Sequence, residues 1–71
     1  MKKLLVFVPT KDTDCEEFMQ LLESSDFYGE LNDGRIEFVE EAETVDELEA
    51  QLQKLVSLNN VGGHFHSEDL D

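Results

Sequence analysis

The chain has 71 residues and one cysteine, Cys15, so it forms one domain and excludes a disulfide within itself. Eighteen Asp and Glu against five Lys and Arg give a net charge of −13, which disfavours nucleic acid or an anionic membrane as a direct partner. No apolar run nears the ~20 residues that span a bilayer, Pro9 stops the signal-like opening, and the lone thiol suits a reducing compartment; the expected location is cytoplasmic.

Lys3 to Val8 reads as a strand, with Leu4, Leu5, Val6, Phe7 and Val8 uninterrupted. A run apolar on both faces suits a central strand. Thr13-Asp14-Cys15-Glu16 offers a capping box, with Thr13 as the cap. Cys15, Phe18, Met19 and Leu22 then mark one face of a helix from about 14 to 24. Phe27 to Leu31 is expected as a second strand, although Gly29 interrupts it. Asn32-Asp33-Gly34 is a tight-turn signal, and Arg35 to Glu40 continues as the other arm of a hairpin. Thr44-Val45-Asp46-Glu47 is a second capping box. Val45, Leu48, Leu52, Leu55 and Val56 give the buried face of a helix from about 45 to 58, closed by Asn59-Asn60 and Gly62-Gly63. His64-Phe65-His66 leaves room for one short final strand.

The order β-α-β-β-α-β predicts an α+β fold of the split βαβ, or ferredoxin-like, kind: a four-stranded antiparallel sheet with two helices on one face. The expected domain is 1–66, with 67–71 as a loose acidic tail. Disorder is the common fate of acidic chains, but 39% apolar residues in periodic patterns argue against it here. A domain of this size hides only about 60% of its unfolded surface. The sheet face without helices must carry either Leu4, Val6 and Val8 or Leu5 and Phe7, and a bare apolar patch marks an interface. The expectation is a homodimer.

Seven acids lie between Glu37 and Glu49: Glu37, Glu40, Glu41, Glu43, Asp46, Glu47 and Glu49. A second group surrounds the first helix: Asp12, Asp14, Glu16, Glu17, Glu23 and Asp26. Helix N-termini favour acids, which accounts for Asp14, Glu16, Asp46 and Glu47 without a function. It does not account for Glu23, Glu37, Glu40, Glu41 and Glu43, nor for the scarcity of Lys partners at i+4. An ordinary solvated surface mixes the two signs. Carboxylates recur about every 6.6–6.8 Å along one strand face, and about 5–6 Å apart at i, i+3 and i+4 of a helix. Either spacing sets negative charge before Lys and Arg that would otherwise grip a nucleic-acid backbone. The partner so implied is a basic DNA-binding protein, held through Glu37, Glu40, Glu41, Glu43, Asp46, Glu47 and Glu49, with Glu16, Glu17 and Glu23 next.

With "MKKLLVFVPT" opening a small α/β domain and "EFVEEAETVDELE" carrying the charge, the chain resembles small acidic phage host-takeover proteins, among them the Bacillus phage DNA mimics that inhibit the nucleoid protein HU. The resemblance covers size, charge and layout over the whole chain and contains no diagnostic motif, so no site residue is carried over. It implies a non-enzymatic inhibitor that displaces DNA from HU in a host cytoplasm.

Other features have bland readings. His64 and His66 share a strand face and could meet one Zn²⁺ or Ni²⁺ with Glu68 or Asp69, yet they equally suit a solvated strand end around an inward Phe65. Without a second Cys/His pair, no metal is expected. Cys15 falls on the apolar face of its helix and reads as core. Glu40 and Glu41 point to opposite strand faces and make a poor acid–base pair. No catalytic residue and no cofactor is expected. The alternative class is a small adaptor or regulatory domain that binds a host polymerase or protease through its sheet or an edge strand. A weaker third reading is a metal- or ligand-binding domain using His64 and His66.

Overall fold

The computed structural model describes residues 1–70. It is an α+β domain of six elements: β1 (Lys2–Pro9), α1 (Cys15–Ser24), β2 (Glu30–Asn32), β3 (Arg35–Glu41), α2 (Val45–Leu58) and β4 (Gly63–Asp69). The strands form one sheet in the order β2-β3-β1-β4, and each neighbouring pair is antiparallel. The two most apolar strands are thus central, where both faces need cover.

Alternation along β1 divides its side chains between the faces. Leu5 and Phe7 join Ile36 and Phe38 of β3 beneath Phe18 and Leu22 of α1 and Val45 and Leu52 of α2. That set is the core, and the Phe7 ring lies 5.0 Å from Phe18 and 4.8 Å from Phe65. Leu4, Val6 and Val8 point to the opposite, open face. Asp71 of the expected tail lies outside the described residues.

Both helices end in the same way. Asp26 and Asn60 adopt positive φ (64° and 54°) just past the cap. Phe27 then donates its N–H to Leu22 and Val61 to Val56, turning an apolar side chain back onto the core. This is the Schellman arrangement, which satisfies the last carbonyls of each helix. It also explains the first departure from expectation. Phe27 belongs to the helix stop and not to a strand, so β2 begins only at Glu30. Gly29 is obligatory on the way, because a Cβ there would sit 2.7 Å from the Phe38 ring. The hairpin follows with Asp33 and Gly34 at φ 53° and 74° between Asn32 and Arg35, the two-residue type I′ turn.

Four further expectations are corrected. The cap of α1 is Asp14, whose carboxylate accepts the Glu17 N–H at 3.2 Å. Thr13 instead donates its hydroxyl to the Gly62 carbonyl at 2.8 Å, tying the β1–α1 loop to the α2–β4 loop. Thr44 precedes α2 as expected but makes no side-chain cap bond, its hydroxyl turning back to the Glu41 carbonyl at 3.4 Å. The last strand is long: Ser67, Glu68 and Asp69, expected in a loose tail, pair with Leu5, Leu4 and Lys3. Cys15 is only partly buried, at the first residue of α1.

Candidate acidic binding surface

The acids expected to contact a partner fall into three places. Glu37 and Glu41 stand on the open face of β3, because they pair with Val6 and Lys2 across the sheet. Glu40 has the opposite parity and lies on the helix side. There it shares a shallow depression of about 140 Å³ with Thr44, Glu47, Leu48 and Gln51. Glu43, Asp46 and Glu47 are exposed around the start of α2, and Glu49 is partly covered on its second turn. Glu16, Glu17 and Glu23 are exposed on α1.

The two helix starts lie at opposite ends of the molecule. The first turn of α1 borders the end of α2, since Asp14, Glu17 and Phe18 line one cleft with Asn59, Asn60 and Val61. Lys2, at the other end of β1, pairs with Glu41, just before α2 begins. An eight-residue strand spans about 23 Å at roughly 3.3 Å per step. The structure therefore brings Glu40, Glu43, Asp46 and Glu47 together at one end and sets Glu16 and Glu17 apart from them at the other.

Local cations separate these acids further. Glu41 accepts from the Lys2 ammonium at 2.9 Å and lies 3.9 Å from the N-terminal ammonium. The Lys2 hydrogen bond, reinforced by its charge, holds the Glu41 carboxyl below the ordinary value and raises Lys2 in return. Glu37 accepts from Arg35 at 3.0 Å, and its side chain is only 14% exposed. These two residues present little unbalanced charge. By contrast, no ion pair among the described residues involves Glu16, Glu17, Glu23, Glu40, Glu43, Asp46, Glu47 or Glu49. Among the described residues Glu40 accepts the Glu41 backbone N–H at 2.9 Å, and its charge adds to the field that raises Lys2. Asp46 and Glu49 stand at i and i+3 of α2, where like charges destabilise a helical turn by about 0.2–0.5 kcal/mol.

The α1-side cleft, about 560 Å³, was not legible in the sequence. Its walls are two loops some fifty positions apart, joined by the Thr13–Gly62 bond and by Thr10 N–H to Gly62 O at 3.1 Å. Asp12, Asp14 and Glu17 line it over Phe18, Leu21 and Val61. Its only advance signal was the acidic Asp-Thr-Asp before the helix.

His64 and His66 share the open face, with ring centroids 6.4 Å apart, and His66 Nε2 is 3.5 Å from Glu68. No group of three or more His, Cys, Asp or Glu placed to hold a metal occurs among the described residues. None of the described helices is long and apolar enough to cross a membrane. No family model, no curated protein and no solved structure matches the chain.

Proposed function

We propose that this chain is a non-enzymatic inhibitor whose acidic helix layer stands in for DNA and blocks a basic DNA-binding protein, with the nucleoid protein HU as the target. The observation that carries the reading is a set of eight acids that make no ion pair among the described residues: Glu16, Glu17, Glu23, Glu40, Glu43, Asp46, Glu47 and Glu49. A surface selected only for solubility mixes signs and places Lys at i+4. Glu16, Glu17, Asp46 and Glu47 lie in first helical turns, where the helix dipole favours them. Glu23, Glu40, Glu43 and Glu49 have no such support, and for them a role outside folding is the economical account. Acidic groups toward the two ends of a strand about 23 Å long suit a target whose basic residues follow the length of a DNA backbone. Glu37 and Glu41, held by Arg35 and Lys2, become supports and leave the contact set.

The strand order, with β1 and β2 parallel and β3 between them, supports a split βαβ, ferredoxin-like arrangement. Self-association, the second part of the proposal, is supported by Val39, 63% exposed on the open face, and by an unpartnered outer strand.

The test is displacement of labelled duplex DNA from HU at several salt concentrations. Wild-type protein should displace DNA, and its apparent affinity should fall steeply with salt. Replacing Glu43, Asp46 and Glu47 together by Lys should abolish displacement with the circular dichroism unchanged. Replacing Glu30, Glu68 and Asp69, exposed acids outside the contact set, by Lys changes the net charge equally and serves as the control. Equal losses from both triples at every salt would reduce the effect to bulk charge. Absence of displacement by the wild type would remove HU as the target.

A further inference from the structure

The outer edge of β4 offers a row of backbone groups whose pattern is self-complementary. Leu70 donates its N–H to Lys2 O at 3.2 Å, and Gly62 O accepts from Thr10 at 3.1 Å. In an antiparallel ladder the N–H and C=O of one residue point the same way, and the direction alternates along the strand. Gly62, His64, His66, Glu68 and Leu70 therefore face β1. Gly63, Phe65, Ser67 and Asp69 turn their backbone groups outward, away from the sheet. The β1–β4 register runs unbroken from Lys3↔Asp69 to Pro9↔Gly63, so no bulge twists the edge away. The strand contains neither Pro nor Lys, the usual guards of an exposed edge. The other edge, β2, has only three residues.

We propose that β4 pairs antiparallel with β4 of a second copy in the register centred on His66. This rests on the self-association inferred above and assigns it to the strand edge, away from the open face. Outward-facing residues must meet outward-facing residues, and only a centre at His66 gives all four a partner. Phe65 then joins Ser67 of the second copy, and Gly63 joins Asp69 of the second copy, each twice by symmetry. His64 comes opposite Glu68 of the second copy, also twice. These are non-hydrogen-bonded pairs, with Cα atoms about 4.5 Å apart and side chains in contact. An imidazole thus faces a carboxylate on both sides of the axis, and His66 meets its own counterpart on it. The occupant is a second copy because the edge complements itself in hydrogen bonding and sets imidazoles opposite carboxylates in the same register. The product is a continuous eight-stranded sheet with both helix layers on one side, which doubles the acidic array around a two-fold axis.

Sedimentation of the full chain should give twice the 8.1 kDa chain mass at micromolar concentration. Ser67→Pro removes an N–H that β1 does not use, so the folded chain should become monomeric with its circular dichroism retained. In a Cys15→Ser background, His66→Cys should form a disulfide-linked dimer under mild oxidation, because the axial Cα separation falls within the roughly 4.4–6.8 Å a disulfide accepts. His64→Cys should not, since its counterpart lies four positions away. A monomeric wild type at millimolar concentration would remove self-association altogether. A dimer that survives Ser67→Pro, fails to cross-link at His66 and dissociates on Val39→Glu would place the interface on the open face and overturn the edge pairing. Should Ser67→Pro unfold, the cross-linking pattern alone decides.

Discussion

Leu5 and Phe7 on one side of β1, and Val6 on the other, are all fully buried, but they reach that state by different means. The covered face is dry: two helices supply Phe18, Leu22, Val45 and Leu52 over a floor of Ile36 and Phe38. The open face has no second layer. Val6 sits there between Glu37 and His66 across the sheet, with Leu4 and Val8 along its own strand. Glu37 is drawn over by Arg35, and its side chain remains only 14% exposed. Long polar side chains can lay their stems on apolar surface and keep their heads in water. A small domain with one helix layer thus seals its second sheet face with charged residues, and the apolar patch expected there shrinks largely to Val39.

The two faces should differ most at the aromatic centre. Phe7→Ala should cost about 3–5 kcal/mol, the usual range for a buried Phe, and so consume most of the stability of so small a domain. Val6→Ala removes two methyl equivalents at ~0.8 kcal/mol each, so its loss should stay near or below about 1.6 kcal/mol. Urea unfolding of the two variants measures the difference; equal losses would mean that the open face is packed as rigidly as the covered one.

A sharper test addresses the lid itself. Glu37→Ala should expose Val6, strand Arg35 and cost about 1 kcal/mol, whereas Glu37→Met, which keeps the stem, should recover most of it. If Met were no better than Ala, the ion pair and not the stem would be the cover. The smallest expected effect is the rim pair of Lys2 and Glu41. Glu41 has a lowered folded value, so its contribution is complete above the ordinary carboxylate range and disappears as pH falls through that lowered value. Lys2 is raised, so its share persists through neutrality and is lost as pH climbs through the raised value. Melting curves of Glu41→Gln should differ slightly from wild type at neutral pH and converge with it in acid.

The order of the six elements, the span 45–58 of α2 and the Asp33-Gly34 turn were legible in the sequence, because periodicity and turn chemistry are local. The division of β1 between two faces was legible only as an either-or, since nothing local says which face the helices take. The Schellman use of Phe27 and the exchange of Asp14 for Thr13 as cap were missed. Thr13 is claimed by Gly62, a partner 49 positions away, and local pattern cannot see that competition. The acids were recognisable as a group, but their separation into two ends, and the withdrawal of Glu37 and Glu41 by Arg35 and Lys2, depend on register. The length of β4 was hidden because Ser67-Glu68-Asp69 has the composition of a tail, while Leu5, Leu4 and Lys3 hold it in the ladder.

The position of β1 also governs how the chain acquires its fold. Both neighbours of β1 come from the second half of the sequence, the farther pairing joining Lys3 to Asp69. Closing such loops must precede any gain from the central ladder, and high contact order slows folding. The β2–β3 hairpin and the two helices can form from nearby residues, whereas β1 has no local strand partner and must wait for β3 before it can dock. Until it does, Leu4 to Val8 is a naked apolar segment able to pair with the same segment of another nascent chain. A net charge of −13 opposes that encounter at separations up to the ~8 Å screening length of physiological salt, so the acidic excess also protects the molecule before it is folded.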